Sequence, residues 1–91
     1  PIRILAGLPE GATMYPNPAT DYIFLVAENE NTHFNHLLIQ DMNGKTIKEW
    51  PLPNVMPHIR LDTYDLPPGM YLVQIHTKGA IYHAKIFKAR R

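Results

Sequence analysis

Nine prolines are spread over this 91-residue chain, and no proline-free stretch between them carries a sustained apolar repeat of period 3.6. Proline lacks an amide hydrogen and its ring clashes with the preceding helical turn, so the chain is poorly suited to helices. What the sequence offers instead is a series of short runs that alternate with period two, each bounded by Gly, Pro or Asn. The pattern predicts an all-β fold with strands over 2–5 (a weak one), 21–27, 36–42, 45–50, 58–62, 70–76 and 80–88. Seven short strands at this spacing predict two packed sheets. Residues 7–13 (GLPEGAT) are small and turn-forming and make the best linker, so we divide the chain into a linker over 1–13, with that weak strand inside it, and a domain over 14–91.

Length and charge narrow the functions open to such a fold. A chain of 91 residues is one domain, and 45% hydrophobic against 19% charged residues is the composition of a folded one. A formal charge of +1 gives no dominant field, which argues against nucleic acid as a partner. With no cysteine there is no disulfide frame, thiolate metal site or Cys nucleophile. The longest apolar run, 23–27 (IFLVA), is far short of the roughly 20 residues of a spanning helix, so no membrane-spanning segment is expected. The sequence opens on Pro1 with no leader pattern, and we expect it to be the end piece of a longer protein.

Two hairpins can be set in register. A two-residue turn at Lys78-Gly79 pairs Thr77 with Ala80 and puts Tyr71, Val73 and Ile75 on the face shared by Ile86, Ala84 and Tyr82. The opposite face carries Leu72, Gln74 and His76 beside Lys85, His83 and Ile81. At Asp41-Met42-Asn43-Gly44-Lys45 a type I turn with Gly44 left-handed in a G1 bulge brings Ile39 opposite Ile47, whereas a two-residue turn would oppose Ile39 to Lys48. We expect the bulge, with Asp41 accepting from the turn backbone. The expected core is Ile23, Leu25, Leu37, Ile39, Ile47, Ile59, Leu61, Tyr71, Val73, Ile75 and Ile86. Tyr15-Pro16-Asn17-Pro18 reads as a proline-stiffened approach to a strand, and Pro67-Pro68-Gly69 as a type II turn with Gly69 at the positive-φ position.

Taken in order, MYPNPATD (14–21), IQDMNGK (39–45), LPPGMYLV (66–73) and KIFK (85–88) resemble the type A C-terminal sorting domain of the Bacteroidetes type IX secretion system, over about residues 14–88. The motif residues carrying the resemblance are Pro16, Asn17, Pro18, Asp41, Gly44, Lys45, Gly69 and Tyr71. The resemblance implies an immunoglobulin-like, seven-stranded, two-sheet β-sandwich without catalytic activity or cofactor. It implies export through the periplasm to the cell surface or beyond, with the translocon, shuttle and sortase proteins of that system as partners. It also implies that the terminal strand, here Lys85, Ile86, Phe87 and Lys88, is the recognised part. The chain runs on past the matching lysine to Ala89-Arg90-Arg91.

Other motifs have plainer readings. Five histidines include His33-x-x-His36, with His76 and His83 on one face of the last hairpin, but no third ligand stands at a recognisable spacing, so no metal site is expected. Asp41, Asp62 and Asp65 sit where turn and strand-end acceptors are expected, and no nucleophile has an evident base. Trp50 in Trp50-Pro51-Leu52-Pro53 is expected to pack under the sandwich edge, because a ring that large adds too much burial to a small core to be left outside. Alternatives to sorting are an adhesive or carbohydrate-binding sandwich module, or a structural spacer.

Overall fold

The computed structural model of the protein describes residues 3–28, 33–52 and 57–90. Ile2 of the weak strand, Pro53 of the Trp-Pro-Leu-Pro segment and Arg91 lie outside the described residues. Eight strands are present among them: β1 (Arg3–Ala6), β2 (Ala12–Tyr15), β3 (Tyr22–Ala27), β4 (Phe34–Gln40), β5 (Thr46–Pro51), β6 (His58–Asp62), β7 (Gly69–Thr77) and β8 (Ala80–Lys88). They form a five-stranded sheet in the order β1-β8-β7-β4-β5 and a three-stranded sheet in the order β2-β3-β6. The expected count of seven is therefore corrected to eight. The strand missed is β2, whose first residues lie in the stretch read as linker; four residues are too few for alternation to stand out, and pairing with β3 along Ala12↔Ala27 to Tyr15↔Phe24 holds them extended.

Alternation decides which side of each strand faces inward. Ile23 and Leu25 of β3, Ile59 and Leu61 of β6, Leu37 and Ile39 of β4, Tyr71, Val73 and Ile75 of β7 and Ile86 of β8 are all buried, ten of the eleven expected core residues. The exception is Ile47, 40% exposed. Its misplacement traces to the β4–β5 hairpin. The Asp41 turn has the expected form, since Gly44 has φ 87° and donates to the Asp41 carbonyl at 3.0 Å, and Gln40 pairs with Thr46. A second bulge then follows, between Ile39 and Gln40, and it sets Ile39 opposite Lys48 rather than Ile47. One extra residue flips the pleat, so Ile47 turns outward while Lys48 and Trp50 turn toward the second sheet.

The alternation has a use for Lys48. Its ammonium donates to the Asp62 carbonyl of the other sheet at 3.0 Å, pairs with Asp65 at 2.5 Å and lies 5.5 Å from the Tyr64 ring centre, stitching the sheets at their rim. Trp50 and Leu52 pack partly buried against the core, as expected for the tryptophan. The β7–β8 hairpin follows the expected register from Thr77↔Ala80 to Tyr71↔Ile86.

Candidate functional site

The motif residues are scattered through the sequence, and the sheet registers bring them to one end of the sandwich. Gly69 pairs with Lys88, Tyr71 with Ile86, and Leu72 with both Lys85 and Gln40, so the start of β7, the end of β8 and the Asp41 turn are neighbours.

Along β8 the pleat divides the recognition motif in two. Ile86 and Lys88 point inward, 1% and 2% exposed, while Lys85 and Phe87 point outward. A lysine ammonium has three donors and no acceptor, and inside a protein it must find oxygen. Lys88 Nζ donates to the Thr63 carbonyl at 2.6 Å and to the Thr20 carbonyl, which also accepts from Thr63 Oγ1 at 3.1 Å. These carbonyls flank the three-stranded sheet, one before β3 and one after β6. Lys88 thereby pins the end of the last strand to the opposite sheet.

The proline-rich segment covers the outer edge of β8. Peptide bonds Tyr15–Pro16 and Asn17–Pro18 are cis. A proline cannot donate to a neighbouring strand, and the asparagine between the two supplies the missing groups from its side chain. Asn17 Oδ1 accepts from the Phe87 amide at 3.0 Å and Nδ2 reaches the Lys85 carbonyl at 3.5 Å. Ala19 continues the pairing, donating to the Phe87 carbonyl and accepting from the Ala89 amide, both at 2.7 Å. Earlier in β8, residues 80–83 are paired in parallel by β1, and Gly7 donates to the His83 carbonyl at 2.8 Å. With β7 on its other side, β8 has both backbone edges engaged at its two ends.

The remaining motif residues are local supports. Asp41 Oδ1 accepts from the amides of Asn43 and Lys45, each at 2.9 Å, which explains the aspartate and leaves the Lys45 side chain in solvent. Gly69 has positive φ as expected, but at 146° it is far from the roughly +80° of a type II turn. Gly69 is already the first residue of β7, paired with Lys88, and two residues on the buried Tyr71 turns its hydroxyl back to donate to the Pro67 carbonyl at 2.6 Å. Burial, then the charge of Asp41, raises the Tyr71 pKa above its ordinary 10.0 and keeps the hydroxyl a donor.

The histidines are not arranged as the His33-x-x-His36 spacing suggests. His36 instead stands opposite His76 across β4 and β7, with ring centres 5.1 Å apart, and its Nε2 is 2.6 Å from Glu49 Oε2. His76 Nε2 bonds Gln74 Oε1 at 2.8 Å. Among the described residues no group of three or more His, Cys, Asp or Glu is placed to hold a metal ion. Sequence reasoning missed Asn17, Thr20 and Thr63 as partners of β8, each more than 20 residues away from the group it meets. The one available clue was an asparagine locked between two prolines, the single side chain in that tripeptide able both to donate and to accept.

No curated protein and no solved structure significantly matches the chain. A family model, that of the secretion system C-terminal sorting domain, matches residues 13–89, from within β2 to the residue after Lys88. That family consists of sorting signals rather than enzymes, and it marks proteins secreted to the cell surface or the extracellular space. The match spans the whole arrangement of proline-rich segment, turn and pinned terminal strand, and the chain belongs to the family of C-terminal sorting domains of type IX secretion.

Proposed function

We propose that the domain acts as a folded address, read in the periplasm and at the outer membrane by the shuttle, translocon and sortase proteins of the type IX system. The observation that carries this reading is the gathering of every motif segment at the end of the sandwich where β8 terminates. An address made of four short sequence pieces becomes a single surface only in the folded chain.

The fold that holds it is best described as immunoglobulin-like. Strands β2-β3-β6 and β8-β7-β4-β5 have the neighbours of A-B-E and G-F-C-C′ sheets, and the Tyr71 hydroxyl bound four residues upstream has the form of a tyrosine corner. Seven strands then make the sandwich, and β1, from the 1–13 linker, adds an eighth at the edge of β8. The sorting domain proper is residues 14–91. Within Lys85-Ile86-Phe87-Lys88, Lys85 and Phe87 face the reader and Ile86 and Lys88 hold the strand in place.

Fusing residues 1–91 to a reporter with its own leader peptide tests the reading. The reporter is expected at the surface of a type IX-competent cell and in the periplasm of a cell lacking the translocon. Periplasmic retention in both cells would refute it.

A further inference from the structure

The two outer faces of the sandwich differ in chemistry. On the three-stranded sheet the exposed rings satisfy one another: Phe24 lies 5.5, 4.9 and 4.8 Å from Tyr15, Tyr22 and His58, and Arg60 covers Tyr22 while bonding Asp62. On the five-stranded sheet, at the end where the motifs gather, Met70 and Phe87 stand directly opposite each other, 42% and 44% exposed, and Leu72 stands beside them opposite Lys85. The Lys85 side chain is exposed, and its ammonium has no hydrogen bond or ion pair among the described residues. The carboxylates of this sheet are used elsewhere. Glu49 meets His36 three strands away from β8, and Asp41 is occupied by the amides of its own turn.

Backbone geometry restricts how this region can be read. Adding a strand to a sheet requires a free row of amides and carbonyls. At residues 85–88 one edge of β8 is taken by β7 and the other by Asn17 and Ala19. Over residues 85–88 a partner of the folded domain must therefore read side chains rather than add a strand.

We propose that Met70, Leu72, Lys85 and Phe87 form the docking face through which a protein of the secretion machinery holds the folded domain, the partner presenting an apolar surface with a carboxylate opposite Lys85. The inference rests on the sorting reading. Apolar side chains of two adjacent strands supply contact area, and a lone cation among them selects an acidic partner and disfavours a basic one.

The test uses the same reporter fusion, with three variants and the thermal midpoint of each. Met70→Thr/Phe87→Thr and, separately, Lys85→Glu are expected to lower surface display about tenfold or more, the loss associated with removing a central contact. Tyr22→Thr, on the opposite sheet, is expected to leave display unchanged. If the double substitution lowers the midpoint, Lys85→Glu decides the matter, since that side chain is exposed and its ammonium makes no hydrogen bond or ion pair among the described residues. Normal display of Lys85→Glu and of a stably folded double variant would overturn the docking face while leaving the sorting reading intact. Failure of the unaltered fusion to reach the surface would instead remove the sorting reading and the inference with it. Sedimentation of the chain over a wide concentration range covers the other occupant: a dimer abolished by Phe87→Thr would overturn the claim of a machinery partner in favour of a second copy.

Discussion

A lysine that is 2% exposed persists only where its charge is met by oxygen, and at Lys88 that oxygen comes from backbone carbonyls of Thr20 and Thr63. Lys88→Met keeps the stem and removes the donors, leaving the Thr63 carbonyl short of a partner, and is expected to lower stability by about 1–3 kcal/mol in urea unfolding. Lys85→Gln, three residues earlier on the solvent side, is expected to stay within about 0.5 kcal/mol. The two lysines of one motif thus separate by role. At Gly44 an added Cβ would meet nothing within 4 Å, so the cost of Gly44→Ala is purely conformational, at a φ of 87°. It is expected to be about 1 kcal/mol, read as a lower denaturation midpoint. His76 responds to pH. Burial first, then His36 and His83, hold its pKa below 6.5, with Glu49 acting in the opposite sense. The unfolded histidine takes up its proton near 6.5 and the folded one only at lower pH, so this contribution to stability is complete above 6.5 and declines as pH falls through the folded value. A proton NMR titration is expected to place His76 below 6.5, and lower still in Glu49→Gln.

At the scale of the strand, the informative events are those in which one residue changes a whole element. The bulge at Ile39/Gln40 reverses the inward face of β5, exposing Ile47 and spending Lys48 on the rim of the other sheet. The turn was legible in Asp41 and Gly44 because their chemistry is local. The second bulge was not, because it is settled by where Lys48 and Trp50 find room between the sheets. Asn17 does the reverse, letting a segment with two prolines serve as an edge partner of β8. Asn17→Ala is expected to cost about 1 kcal/mol, and hydrogen exchange is expected to accelerate most at the Phe87 amide, which loses its acceptor. Unchanged protection there would show that Ala19 alone holds the edge.

Over the whole molecule, β8 is the element on which both sheets converge: β7 and β1 flank it, Ile86 fills the core, and Lys88 reaches across to the second sheet. Composition and proline placement were enough to establish an all-β chain of two sheets, and period-two alternation was enough to name ten core positions, because the side chain of each strand residue points in or out by its parity alone. The β7–β8 register was equally legible, since a two-residue turn ties it to sequence. Parity marked Ile86 as internal and put Lys88 on the same face, but gave no account of how a lysine could be satisfied there. That depended on two carbonyls 25 and 68 residues away being brought to the same point. The pairing of His36 with His76 and the covering of β8 by Asn17 are of the same kind. Each joins residues whose local preferences are silent about one another, and only the closing of two sheets on a shared core sets the distances between them.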